Sequence, residues 1–298
     1  MILLNPFPSY AQYNEDIIIL ALLLNVDNGF YVDVGANYPV MDSVTKIFYE
    51  KGWRGINIEP IPSLYRLLEK DRPDDINLNI GIGDKSGELA FFENKTMPGH
   101  SSFDRGMVSN LKKDEVNKYK VKVKTLKDVF KSNNVKKINF LKIDVEGFES
   151  DVIKGNDWIL YRPEVVCIES NHCKGLWRQV LTKNQYKCFI KDGLNEYYIA
   201  EESWYRTDNF ADTVVKLSHQ SLKKHHYDNI VHIMGQLKKV TRLNQVHFDL
   251  VQKLRDENQK LIQDNQLSLK GVGYSNRLKR SLYGLTVDWF RYNKSGPK

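Results

Sequence analysis

The 298-residue chain has no long hydrophobic run. Its longest, Ile17 to Leu24, covers eight residues, whereas a bilayer crossing takes about twenty. The opening stretch, MILLNPFPSY, has no basic start, no extended apolar core and no small-residue cleavage site. A secretory leader is therefore not expected, and a cytoplasmic location is. Cysteine is scarce: Cys167, Cys173 and Cys188 are odd in number, and no pair has metal-site spacing. Free thiols in a reducing compartment follow, rather than a disulfide framework. Glycine and proline nearly vanish between Asn209 and Gly271, Gly235 being the exception. Glycine is also missing where a dinucleotide-binding turn needs it. The turn reads Gly35-Ala36-Asn37-Tyr38-Pro39, without the G-x-G-x-x-G that lets backbone approach a pyrophosphate. A nicotinamide-linked oxidoreductase is disfavoured on that ground.

Acidic residues are almost absent from the C-terminal end. Between Leu267 and Lys298 there are seven Lys or Arg residues and one acid, Asp288. The net charge of +7 is thus mostly a property of this tail, and the remainder is nearly neutral. With no aromatic-basic groove visible in that remainder, nucleic acid is not an expected partner.

What is present, from residue 9 to about 200, is an alternation. Short apolar runs such as GFYVDVG, GINIEP, INLNIGIG, INFLKIDV and EVVCIES are separated by amphipathic stretches such as SVTKIFYEKG and IPSLYRLLEKD. This pattern predicts an α/β fold, a mostly parallel sheet with helices on both faces. GELAFFEN and KYKVKVKTL read as an added hairpin-like pair, and NEYYIAEESWY as a last strand leading out of the domain. Trp53 and Trp158 read as core. Trp177 reads either as helix packing or as an aromatic face for a sugar. The expected domains are 1–208 for the α/β part, 209–266 for a helical region and 267–298 for a basic aromatic tail. A heptad starting at Ile230 places Ile230, Leu237 and Val251 at a, and Ile233, Val240, Leu254 and Leu261 at d, with Asn244, Asn258 and Asn265 also at a. It predicts a coiled coil, about 54 Å long from Ile230 to Asn265, that forms a homodimer, since a buried Asn at a favours two strands. The alternative is an amphipathic helix lying on the α/β domain. The tail, RLKRSLYGLTVDWFRYNKSGPK, suits an anionic membrane surface at the inner face, a partner enzyme such as a glycosyltransferase, or solvent.

The turn after GFYVDVG sets the ligand. Asp33 places a carboxylate where phosphates would otherwise sit, which suits a ligand with positive charge and no phosphate. S-adenosylmethionine, with its sulfonium, ammonium and ribose, is such a ligand. Glu59, at the end of the next strand, can accept both ribose hydroxyls. Asp84, closing NIGIGD, reads either as a contact to the adenine amino group or as a plain turn residue.

The chain resembles the FkbM family of S-adenosylmethionine-dependent methyltransferases. The matching pieces are YAQYNEDIIIL, FYVDVGANYPVMDSVTKIFYEKGWRGINIEP, NFLKIDVEGFESDVIKGNDW and RPEVVCIES, between residues 9 and about 170. The resemblance implies a Rossmann-like methyltransferase fold. It implies that Asp33, Gly35 and Asn37 line the methionine end of the cofactor, Glu59 its ribose, and Ser43 and Thr45 its carboxylate. It also implies O-methylation of a sugar hydroxyl, with a saccharide or nucleotide-sugar as substrate in surface polysaccharide or glycoconjugate synthesis. The competing expectation is an assembly or membrane-docking module of a polysaccharide-synthesis complex.

A sugar hydroxyl is a weak acid, so methyl transfer to it needs a base or a metal. Two strand ends offer candidates: Lys142, Asp144 and Glu146 in FLKIDVEGFE, and Glu169, Asn171 and His172 in VVCIESNHC. In one mechanism His172 or Asp144 takes the proton directly. In the other, Asp144 and Glu169, with Asn171 or His172, hold magnesium or manganese. Glu146 reads equally as a cap for the helix that follows. MPGHSSFDRG, residues 97–106, reads as a loop near the site, with His100, Ser101 and Ser102 as contacts.

Overall fold

A computed structural model describes residues 7–171, 175 and 177–223. The heptad region, the basic tail, His172 and Cys173 lie outside the described residues. In chain order the strands and α-helices are β1 (Phe7–Ser9), α1 (Glu15–Leu22), β2 (Phe30–Val34), α2 (Lys46–Glu50), β3 (Arg54–Ile58), α3 (Pro62–Asp71), β4 (Ile76–Leu78), β5 (Gly81–Ile82), β6 (Gly87–Asn94), β7 (Val116–Lys124), α4 (Leu126–Ser132), β8 (Phe140–Ile143), α5 (Glu149–Lys154), β9 (Val165–Glu169), α6 (Trp177–Lys183), β10 (Tyr186–Lys191), β11 (Asn195–Ala200), α7 (Phe210–Gln220) and β12 (Ser221–Lys223). Residues 10–210 form one compact unit. In a second unit β1 pairs in parallel with β12.

Seven strands of the larger unit make one sheet in the order β10-β11-β9-β8-β2-β3-β4. β9, β8, β2, β3 and β4 are mutually parallel, and β11 runs antiparallel between β9 and β10. The fold is therefore mixed α/β with a mostly parallel sheet, as the alternating runs predict. Alternation along each strand sorts residues to two faces. Val32, Val34, Leu141, Ile143, Val166 and Ile168 pack with Leu126, Val129 and Phe130 of α4, Val152 and Ile153 of α5, and Trp177 and Leu181 of α6. Tyr31 and Phe140 stack on each other, and Phe140 also meets Phe48 of α2 and Trp53. Trp53, Trp158 and Trp177 are all buried.

Three details depart from the sequence reading. NIGIGD is not one strand: β4 ends at Leu78, and Gly81–Ile82 pairs instead with β7 in a three-stranded sheet ordered β5-β7-β6. NEYYIAEESWY does supply the last strand of this unit, β11, but it lies inside the main sheet, and YKCFIK forms β10 at its edge. β6 and β7 do pair antiparallel, but they are joined by residues 95–115, a long connection with three short 3-10 turns. Cys167 is buried and Cys188 half-buried, both as free thiols. Among the described residues no helix is long and apolar enough to cross a membrane.

Candidate active site

The chain leaves β2 toward β3 and β4 but returns through β8 toward β9 on the other side. Such a reversal opens a crevice at the carboxyl ends of the two central strands, where α/β sheets bind ligands. Three glycine-dependent or left-handed positions shape it. Gly35, directly after β2, has φ +80°, and a Cβ there would overlap the carbonyl oxygen of Asp144. The turn can therefore lie against the end of β8 only without a side chain. Asn37 (φ +53°) and Glu146 (φ +50°) are also left-handed. The N–H groups of Gly35 and Ala36 donate to the carbonyl of Ile58, at 3.0 and 3.1 Å, and the Asp144 N–H donates to that of Val34 at 3.0 Å. Three strand ends are thereby fixed relative to one another.

A cleft lies over these ends. Gly35 and Asn37 line it from β2, Glu59 and Ile61 from β3, and Asp144 and Glu146 from β8. Phe91 of β6 and the segment containing Pro98, Gly99, Ser101 and Phe103 close another side. The loop expected near the site is thus part of its wall. It is tied to the β8 turn: the Ser102 hydroxyl donates to the Glu146 carbonyl at 2.7 Å, and His100 Nδ1 lies 3.5 Å from Glu146 Oε1.

Glu59 is 4% exposed. Its two carboxylate oxygens accept the N–H groups of Asn37 and Ile61, each at 2.8 Å. Burial pushes its pKa up to about 7, against the pull of those two N–H donors and of Lys142. A carboxylate has lone pairs for about four donors, so this one retains acceptor capacity on the cleft side. Asn37 Oδ1 is buried and accepts no hydrogen bond from a described residue.

Beneath the cleft floor lies a network that the sequence reading did not foresee. Lys142 of β8 donates to the Gly35 carbonyl at 3.1 Å and pairs with Asp33 Oδ1 at 3.5 Å and Asp144 Oδ2 at 3.3 Å. Burial disfavours its charged form, but Asp144 and Asp33 outweigh burial and raise its pKa. Asp33 Oδ2 accepts the Thr45 hydroxyl at 2.7 Å. Thr45 in turn accepts Arg72 Nη1 at 2.6 Å. Arg72 is 0% exposed and also donates to the Pro39 carbonyl, the Ser43 hydroxyl and Asn57 Oδ1. Asp33, Ser43 and Thr45, expected at the cofactor, thus sit under the turn and brace it, and none of them lines the cleft. Asp33 is buried within β2, and Val34 and Gly35, which follow it, reach the cleft in its place. Asp84 stands apart, exposed in the turn after β5, because the break at β4 carries the chain away from the main sheet.

The structure brings three predicted carboxylates together. Oxygens of Asp144, Glu146 and Glu169 lie within 4.8 Å of one another. Burial first, and then Asp144 and Glu149, push Glu146 up to about 8. Burial first, and then Asp144 and Glu146, push Glu169 up to about 9. Like charges this close do not all ionise at once, so the group shares protons at neutral pH. Glu146 does not cap the next helix. Phe148 is the N-cap of α5 and gives it no side-chain cap; Glu149, the first helical residue, reaches back to accept the N–H groups of Val145 and Gly147 in the preceding turn at 3.2 and 3.1 Å.

Comparison with known proteins places this geometry. A profile of the methyltransferase FkbM domain matches residues 33–188, more than half of the chain and all three central strand ends. The chain belongs to the FkbM methyltransferase family. The chain is 29% identical to methyltransferase 1 of Beauveria bassiana (strain ARSEF 2860) over 149 residues, 44% of this chain and 59% of that protein. It is 28% identical to methyltransferase sdnD of Sordaria araneosa over 171 residues, 47% of this chain and 66% of that one. The chain thus spans less than two thirds of the length of these relatives. A crystal structure of methyltransferase FkbM from Methylobacillus flagellatus KT aligns with a TM-score of 0.40 and 17% identity, over 58% of this chain and 44% of that one.

Proposed function

We propose that the protein is an S-adenosylmethionine-dependent O-methyltransferase acting on a sugar hydroxyl in surface polysaccharide or glycoconjugate synthesis. The observation that carries the cofactor reading is the donor set of the cleft. Buried Glu59 offers spare lone pairs, Asn37 Oδ1 lacks a described partner, and the turn at Gly35 is tight without the glycines of a pyrophosphate site. Membership in the FkbM family supports the same cofactor.

When bound, S-adenosylmethionine supplies an electrophilic methyl group on a sulfonium. The protein's own task is to orient the acceptor oxygen and remove its proton. In this reading Glu59 accepts the ribose hydroxyls, and Asn37 and the Gly35 turn hold the methionine end. Lys142 and Thr45 hold Asp33 and Asp144 in place beneath. Fixing the acceptor in line is worth about 7–11 kcal/mol in favourable cases. Asp144, Glu146 and Glu169 stand together at the acceptor side, and the member of the group that is ionised takes the proton. A carboxylate with a raised pKa is better matched to a hydroxyl proton than an ordinary one.

The same three carboxylates suit a hard divalent cation, magnesium or manganese, by donor type. They would hold it, and it would lower the pKa of the acceptor hydroxyl. Chelation decides between the routes. Undiminished methyl transfer after exhaustive chelation leaves the carboxylates as bases, and loss restored by magnesium or manganese assigns them as ligands. The heptad region at 230–265 is proposed to form a homodimer, tested by the oligomeric state of the full chain in solution.

The experiment for the function as a whole is mass spectrometry of surface glycans from a strain lacking this protein. One sugar is expected to lose the mass of a single methylene and to regain it on complementation. Unchanged glycans would remove the sugar reading, while cofactor binding would still be measured separately.

A further inference from the structure

The near-neutral balance of the α/β part conceals a segregation of charge. Between positions 112 and 137 there are ten lysines and three acids, an excess equal to the net +7 of the entire chain. β7 arranges part of this excess in a row. Its inward residues, Tyr119 and Val121, pack with Phe91 and Ile61 behind the cleft. The alternate positions, Lys118, Lys120, Lys122 and Lys124, therefore share the opposite face. The first three are exposed and the fourth is half-buried. Two-residue steps along a strand are about 6.6–6.8 Å, so the row runs for about 20 Å.

Few acidic groups among the described residues neutralise this row. Lys120 Nζ lies 3.7 Å from Glu88 Oε2 on β6. Asp128, near Lys124, is engaged by Ser86 and Thr125. The neighbouring ring, Phe92, lies under Lys118 Nζ at 5.5 Å from its centroid, so it is covered rather than offered for stacking on a base or a sugar. All four cations are lysines. They are hydrated point charges without the planar fork that reads individual phosphates or carboxylates in pairs. A flat row of this kind is complementary to a diffuse anionic layer.

We propose that the outer face of the β5-β7-β6 sheet, through Lys118, Lys120, Lys122 and Lys124, docks the protein on an anionic lipid surface. This surface is distinct from the basic tail and does not depend on the methyl-transfer reading. Each lysine near an anionic bilayer contributes enough for about a fivefold gain in binding, attenuated by salt.

The test is sedimentation of the full chain with vesicles of phosphatidylcholine alone or mixed with phosphatidylserine. The unaltered protein is expected to pellet with the mixed vesicles only. The triple variant Lys118→Gln, Lys120→Gln, Lys122→Gln is expected to bind on the order of a hundredfold more weakly. A variant with the same charge loss elsewhere, Lys51→Gln, Lys70→Gln, Lys183→Gln, is expected to bind nearly as the unaltered protein does. Equal binding by the row variant overturns the proposal. So does failure of the unaltered protein to bind mixed vesicles, including the case where heparin or RNA captures it instead. Thermal melting checks the fold of the triple variant. Should it unfold, Lys120→Gln and Lys122→Gln singly are each expected to weaken binding about fivefold, and unchanged binding by both overturns the proposal equally.

Discussion

Glu59 ends β3 with its carboxylate buried and both oxygens engaged by backbone N–H groups. Its pKa, raised to about 7, makes the proposed cofactor site pH-sensitive, and the sign follows from which form binds. Ribose hydroxyls donate to an ionised carboxylate, so below about pH 7 a proton must leave first and affinity falls. Between about pH 6 and about pH 8 the dissociation constant for S-adenosylmethionine is expected to drop roughly tenfold, then level off. Calorimetry of the native protein beside Glu59→Gln measures it. The variant should lose this component along with most of its affinity. At this scale the sequence was partly legible. Gly35, Asn37 and Glu59 could be placed at strand ends because apolar runs stop just before them. Asp33 could be seen as well, but not its burial, which depends on Thr45 and Lys142, partners distant in sequence. Arg72 was invisible: KDRPDD reads as the end of a helix, and only the tertiary fold brings that guanidinium under Pro39, Ser43 and Thr45.

The β2 and β8 ends act as one element pair. Gly35 packs against the Asp144 carbonyl with no room for a Cβ, and Lys142 bonds to both. Gly35→Ala is therefore expected to displace the β8 turn and weaken cofactor binding by at least tenfold while the protein still folds, with calorimetry and thermal melting as the two readouts. An unchanged dissociation constant would show that the turns are not coupled. In the core, Phe140 fills the space between Tyr31, Phe48 and Trp53. Phe140→Ala is expected to cost about 3–5 kcal/mol in chemical denaturation. Strand and helix types were legible wherever a run was long and apolar. β10 was missed although YKCFIK is closed by Asp192-Gly193, a hairpin turn signal that leads straight into β11. The split between β4 and β5 escaped because Asn79, which lies between them, continues the alternation of INLNIGIG and so reads as strand. The chain changes sheets there through pairing with β7, a contact far away in sequence.

The unit formed by residues 10–210 contains every strand end that shapes the cleft. A chain ending at Phe210 is expected to bind S-adenosylmethionine with an affinity close to that of the full protein. Loss of binding in a well-folded fragment would assign the remaining residues a part in the site. What the sequence says about those residues, a heptad and a basic aromatic tail, concerns assembly rather than the cleft. The segregated charge of the larger unit shows why a net value conceals so much: the lysine row of β7 and the carboxylates around Asp144 nearly cancel in the sum. The account as a whole rests on the chemistry of one cleft. Its most direct test is calorimetric titration of the full protein with S-adenosylmethionine and, separately, with NAD. Saturable one-to-one binding of S-adenosylmethionine, abolished in Glu59→Ala, is the predicted result. Binding of NAD in its place, or no binding of either by the folded protein, would contradict it.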